Sequence, residues 1–260
     1  MTTELAARLR TAGCVFAEQE ASLLQAAAPT PDALESMVRR RVDGVPLEHV
    51  LGWAEFAGLH IDVDPGVFVP RRRSELLVHE ATRLARAGPG RAAVVVDLCC
   101  GSGALGVAVA AALGEIDLHA ADVDPVAVRC ARRNVAAYSG QVYEGDLFAA
   151  LPATLLGRVD LLLANVPYVP SAEIALMPPE ARVHEALVAL DGGADGLDVL
   201  RRAAAEAGRW LATGGHLLVE TSRQQASHAA DLMARGGLAT RVTSDDDGTT
   251  VVVGTRRRRG

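Results

Sequence analysis

Two apolar runs set the first limit on this chain. Ala92-Ala93-Val94-Val95-Val96 ends at Asp97, and Leu161-Leu162-Leu163-Ala164 ends at Asn165. A strand with one wet face alternates apolar and polar residues. A strand that is apolar throughout must be covered on both sides, as in a parallel sheet between helices. The flanking pattern agrees. Strands are expected at Ala93–Asp97, Ile116–Asp122, Gln141–Glu144, Asp160–Asn165, His216–Thr221, Thr240–Ser244 and Thr250–Val253. Helices are expected between them at Gly103–Ala112, Pro125–Tyr138, Leu197–Leu211 and Gln224–Arg235. This alternation predicts an α/β fold with a doubly covered sheet. The last two strands follow each other without a helix, so one of them should run antiparallel.

The part before Arg91 is organised differently. Leu5, Leu9, Val15, Phe16, Leu23 and Leu24 recur at helical spacing, and Pro29-Thr30-Pro31-Asp32 marks a break and a helix start. Residues 1–45 are therefore expected to form a small helical lobe. Trp53–Val69, punctuated by Gly52, Gly58 and Pro65-Gly66, predicts a linking β-hairpin within 46–75. Ser74 is placed to cap a helix over Glu75–Ala87. The main domain should then occupy 76–260.

Half of the 260 residues are apolar, ample for a large core. No run is long enough and free enough of charge to span a membrane. The start, MTTELAARLR, lacks the apolar segment of a secretory signal. The four cysteines, Cys14, Cys99, Cys100 and Cys130, show no CxxC spacing, and adjacent Cys99 and Cys100 would form only a strained bridge. Reduced thiols, a cytoplasmic setting and no metal site are expected. A net charge of −6 opposes a protein that wraps nucleic acid. Every basic side chain apart from histidine is Arg, a compositional bias, and Arg256–Arg259 is expected to be a solvated tail.

In open α/β sheets ligands bind at the carboxyl ends of the strands, and this chain concentrates polar residues there. After the first strand, Gly101, Gly103 and Gly106 allow close backbone approach at a helix start. Asp97 beside them would repel a pyrophosphate but suits a cationic or hydroxyl-bearing ligand. Asp122 ends the second strand, where a carboxylate can grip a ribose diol, and Asp146 follows the third, where it can accept from an exocyclic amine. Asp122 and Asp124 alone read equally as a turn and a helix cap, and Asp146 alone reads first as a turn residue. Together these groups describe S-adenosylmethionine better than NAD. The fourth strand end, Asn165-Val166-Pro167-Tyr168, offers an amide, a backbone carbonyl, a stiff proline and an aromatic face. That set can hold a planar group bearing nitrogen.

These residues resemble the protein-(glutamine-N5) methyltransferases, the HemK-like enzymes that methylate the Gln of the GGQ loop in class I peptide release factors. Pro46–Gly52 is similar to the family's PLxYxLG, Val69-Pro70-Arg71 with Glu75 to its PRPxTE, and Asp97–Gly103 to its DLGTGSG. Asn165–Tyr168 is similar to its NPPY, and His184-Glu185 with Ala189–Gly193 and Gly196-Leu197 to its EPxxALxGGxDGL. The resemblance implies a seven-stranded Rossmann-like class I methyltransferase sheet and an N-terminal lobe that recognises substrate. It implies S-adenosylmethionine held by Asp97, Cys99, Cys100, Gly101, Ser102, Gly103, Asp122, Val123, Asp146, Leu147 and Asn165. It also implies catalysis at Asn165, Val166, Pro167 and Tyr168. The partner would be a protein bearing a glutamine, such as a release factor, and the enzyme a monomer. The chain departs from the family at Val166, at Arg72-Arg73-Ser74, at Ala186 and at the two loop cysteines, largely on the substrate side. Two other readings stay open: N6 methylation of adenine in nucleic acid, and a silent cofactor-binding partner of the translation machinery.

Overall fold

The computed structural model describes residues 2–88, 90–246 and 248–257. Four helices open the chain: α1 (Thr2–Thr11), α2 (Ala17–Ala27), α3 (Pro31–Val42) and α4 (Leu47–Leu51). Thr30 starts α3 as the sequence pattern predicts. Its hydroxyl accepts from the Ala33 N–H at 3.2 Å, and Pro31 occupies the first turn, where no N–H is needed. Leu5, Leu9, Leu24 and Val38 close a separate apolar core that reaches Val50 in α4. Strands β1 (Trp53–Phe56) and β2 (Leu59–Asp62) form the expected hairpin.

The main domain follows: α5 (Glu75–Arg86), β3 (Ala93–Leu98), α6 (Ala104–Leu113), β4 (Ile116–Asp122), α7 (Pro125–Ala136), β5 (Gln141–Glu144), β6 (Val159–Ala164), α8 (Pro179–His184), α9 (Asp198–Trp210), β7 (Leu211–Thr221), α10 (Ala226–Arg235), β8 (Leu238–Ser244) and β9 (Thr250–Arg256). Seven strands join in the order β5-β4-β3-β6-β7-β9-β8. All neighbours are parallel except those of β9, which runs antiparallel to both β7 and β8. The antiparallel strand is thus the last one.

The apolar strands are covered on both faces. Val95, Leu161 and Leu163 belong to one core, and Val94, Val96 and Leu162 to the other. The chain moves outward from β3 through β4 to β5 and then returns to β6, on the opposite side of β3. The strand order therefore reverses between β3 and β6, and a crevice opens at their carboxyl ends.

Two expectations need correction. Ser74 precedes α5 but its side chain caps nothing; its hydroxyl donates instead to Glu220, at the end of β7. A buried carboxylate is a stronger acceptor for that proton than a solvated helix start. Arg256 is no tail residue, because it ends β9 and its guanidinium donates to the Leu211 carbonyl. Arg257 is exposed, while Arg258 and Arg259 lie outside the described residues.

The N-terminal lobe is tied to the main domain through a buried arginine. Arg41 bonds Glu20 within the lobe and reaches Glu180 of α8, each at 2.6 Å. Glu20 is itself buried. Removing one member of such a pair strands the other charge in low dielectric. Arg41→Ala is expected to destabilise the lobe by about 3 kcal/mol, read as a lower thermal midpoint. A midpoint equal to that of the parent chain would mean that Glu20 is solvated once unpaired.

Candidate functional site

The crevice is a cavity of about 1050 Å³, measured out to its open mouth. The loop after β3 supplies Cys99, Cys100, Gly101 and Ser102 to its wall, and the end of β4 supplies Asp122, Val123 and Asp124. All four residues of the turn after β6, Asn165 to Tyr168, line it as well. Three segments far apart in sequence thus meet as the strand-end argument requires. Val67, Phe68, Pro70, Arg71, Arg73 and Ser74 close it from the linking segment, and Met177 and Leu190 from the loop after the turn.

Asp122 shapes the cofactor side. One carboxylate oxygen accepts from the Gly101 N–H at 2.8 Å, and the other from the Asp124 N–H at 2.9 Å. These bonds hold the loop after β3 against the end of β4. Each oxygen keeps a further lone pair for a ligand. Burial raises the Asp122 carboxyl above the usual range. Cys99 sits in this loop with φ 54°, in the left-handed region, where the resembling family has glycine. An L-residue takes that shape at a cost of about 1–2 kcal/mol. Burial pushes the Cys99 and Cys100 thiols up, which makes them packing groups rather than nucleophiles.

Four predicted cofactor residues lie beside the cavity, not on its wall. Gly103 precedes α6 with φ 79°, against Val135 of α7. Asp146 pairs with Arg202 of α9, and Leu147 beyond it is buried at φ 47°. Asp97 is 0 % exposed beneath the loop. Its Oδ2 accepts from the Gly106 N–H at 2.9 Å, and its Oδ1 has no partner among the described residues. Burial raises its pKa to about 8.

The turn after β6 is held from three directions. Val166 is buried among the β6 and β7 side chains, so its branched side chain packs the position. Behind the turn the backbone is zipped to residues 190–193: Val169 N–H donates to Leu190, Gly192 N–H to Val169 and Ser171 N–H to Gly193. Gly192 and Gly196 are required by that approach, since a Cβ would lie 2.7 Å from the Pro167 carbonyl oxygen and 2.3 Å from that of Tyr168. The third hold is a polar cluster that sequence reasoning missed. Arg73 donates to Glu220 at 3.1 Å and to the Tyr168 hydroxyl at 2.7 Å. Glu220 follows the apolar run Leu217-Leu218-Val219, the same signal that marks Asn165, and could have been found by it.

Glu185 ties the linking segment to the loop after the turn. It is buried, and one of its oxygens accepts from Arg71 at 2.5 Å and from the Val69 N–H at 3.2 Å. Arg71 also lies over the Phe68 ring at 4.9 Å. All four cysteines are free thiols. Among the described residues no group of His, Cys, Asp or Glu is arranged to hold a metal, and no helix is long and apolar enough to cross a membrane.

Comparison with known proteins agrees with this geometry. Residues 59–248 match the family described as methyltransferase small domain. A release factor glutamine methyltransferase of Gloeobacter violaceus is 43% identical over 78% of this chain and 71% of its own. A 4-amino-L-phenylalanine/4-methylamino-L-phenylalanine methyltransferase of Streptomyces pristinaespiralis is 35% identical over 81% and 73%. Among solved structures, a methyltransferase from Pyrococcus furiosus covers 77% of this chain and 90% of its own at TM-score 0.57 and 15% identity. The expected class I fold is thereby borne out.

Asp97 yields a test. Folded, it keeps its proton to about pH 8; unfolded, only to about pH 4. The folded state binds more protons in that window, so this group's contribution to stability is lost as pH rises through it. Asp97→Asn removes the titrating group and keeps an acceptor for Gly106. Its thermal midpoint should gain on that of the parent chain from about pH 4 to about pH 8 and hold a constant gap above that. A gap constant throughout would give Asp97 an ordinary carboxylate pKa.

Proposed function

The chain belongs to the release factor glutamine methyltransferases, within the methyltransferase small domain family, and from that premise we propose that it methylates the side-chain amide nitrogen of a protein glutamine, with S-adenosylmethionine as donor and a peptide release factor as acceptor. The observation that carries this reading is the turn Asn165–Tyr168 lining the same cavity as the Asp122 loop.

A primary amide is a poor nucleophile because its nitrogen lone pair is delocalised into the carbonyl. The Asn165 side-chain carbonyl and the Val166 backbone carbonyl can accept its two N–H groups. Held so, the nitrogen can turn its lone pair out of conjugation, and the positive charge that develops there meets two fixed dipoles. Val in place of proline at 166 leaves the backbone carbonyl available. Pro167 stiffens the turn, and the Tyr168 ring offers a face for the planar amide. No general base is needed, since the product loses its proton after transfer. Placing the reacting atoms in line does most of the work.

The residues present fit S-adenosylmethionine. Asp122 has lone pairs for the ribose hydroxyls, and the amides of Gly101 and its neighbours border the same space. Asp97 beneath them supports the loop by accepting from the Gly106 N–H, and its other oxygen is orphaned. Asp146 would take the adenine amine by sharing its carboxylate with Arg202. When bound, S-adenosylmethionine supplies a methyl group on a positively charged sulfur. The N-terminal lobe, tied to α8 by Arg41, would contact the protein acceptor.

An aromatic amine, named for one relative, shares the delocalised nitrogen. The net charge of −6 opposes nucleic acid. The test offers labelled S-adenosylmethionine with a release factor, free 4-amino-L-phenylalanine, DNA or RNA. Label on a glutamine of the release factor is expected. Label only on the free amino acid or nucleic acid would refute the reading, and binding without transfer to anything would favour a silent partner. Asn165→Ala should cut turnover by about 10²–10³ and leave cofactor affinity intact. Asp122→Ala should weaken cofactor binding about tenfold or more. Equal losses in both variants, by turnover and calorimetric titration, would undo the division of roles.

A further inference from the structure

The polar cluster beneath Asn165 has a proton order that can be worked out bond by bond. Glu220 is 2 % exposed at the end of β7. One of its oxygens accepts from the Arg73 Nε at 3.1 Å and from the Tyr168 hydroxyl at 3.3 Å. The other accepts from the Ser74 hydroxyl at 2.5 Å. A guanidinium only donates, so Tyr168 accepts from Arg73 Nη2 and gives its own proton to Glu220. Burial and the Glu220 charge hold the Tyr168 phenol up at about 12, so the ring keeps that proton.

Ser74 has one proton and two polar neighbours. The Glu220 carboxylate has none to give, so the Ser74 proton is committed to it. Toward its other neighbour, the Asn165 side chain at 3.5 Å, Ser74 can then only accept. Asn165 must present its NH2 to Ser74, which turns its carbonyl the other way. The order matters because an asparagine amide has two orientations of nearly the same shape. In one, a carbonyl meets the N–H groups of the acceptor. In the other, N–H meets N–H.

We infer that Glu220 is a positioning residue that acts through Ser74, setting which end of the Asn165 amide faces the methyl acceptor. Arg73 and Tyr168 hold Glu220 in place from its other oxygen. The inference rests on the amide-acceptor reading given above, and it adds a reason for a buried carboxylate where the chemistry needs no base.

Glu220→Gln tests it without changing shape. Arg73 Nε must still donate, so the new side chain keeps its carbonyl toward Arg73 and turns its NH2 toward Ser74. Ser74 then accepts from Gln, sends its proton to Asn165 and reverses the amide. E220Q should lower kcat about 100-fold, with acceptor KM and cofactor affinity moving less than about threefold. Ser74→Ala, which frees Asn165 to adopt either orientation, should cost about tenfold or less. The sharpest expectation is that the E220Q/S74A double variant is faster than E220Q alone. A residue that merely supports the fold would make the double variant slower than either.

Neutron diffraction of the deuterated protein reads the same order without any acceptor. The Ser74 deuteron should point to Glu220 in the parent chain and to Asn165 in E220Q. The proton order therefore stands if glutamine proves not to be the substrate, and it falls independently of that question. An E220Q enzyme as fast as the parent, a double variant slower than E220Q, or a parent Ser74 deuteron aimed at Asn165 would overturn the inference. Should E220Q fail to fold, judged by its thermal midpoint, the deuteron position in the parent chain still decides.

Discussion

A sheet buried on both faces has little room for unpaired charged side chains along its length, and that restriction organises the rest of this protein. The backbone groups of the strands bond one another. Any unpaired carboxylate or amide in their middle would cost several kcal/mol. Polar residues are tolerated where a strand emerges, and here the ends of β3, β4, β6 and β7 carry Asp97, Asp122, Asn165 and Glu220. The reversal of strand order between β3 and β6 keeps the space above those ends free of a crossing helix. Burial of the sheet and location of the site are thus two results of one pattern.

Much of this was legible in the sequence because it depends on local rules. Apolar runs gave the strands, Pro and Gly gave the breaks, and the strand-end polar residues gave Asp122 and Asn165 on one cavity wall. The linking segment was legible only as a hairpin. Ser74 matched a helix-cap position by spacing, yet its hydroxyl is drawn to Glu220, a residue 146 positions away. No local rule reports such a pairing. Arg73 was hidden by the abundance of arginine, where one functional guanidinium looks like its neighbours. Asp97 was recognised as a site residue. Its place beneath the loop, 0 % exposed and off the cavity wall, follows from how α6 packs over β3, which spacing does not reveal.

The turn after β6 illustrates how a departure from a family pattern can be absorbed. Two successive prolines would stiffen such a turn from within. This chain has one, and its turn is also held from outside, by the backbone zipper to residues 190–193 and by Gln225, whose amide donates to the Tyr168 carbonyl at 3.0 Å. The glycines at 192 and 196 exist for that contact. Neither segment can change shape alone, because each fills the space a side chain of the other would need.

Arg41 has a geometric implication of its own. Its guanidinium spans Glu20 of the lobe and Glu180 of α8, and α8 follows the segment in which Met177 lines the cavity. One side chain therefore acts as a strut between the lobe and the segment that leads into the cavity wall. The offset between the surface that would grasp a partner and the cavity that would receive its side chain is gauged in part by that residue's reach. A partner must match that offset as well as the chemistry, so acceptance would be decided partly by measurement.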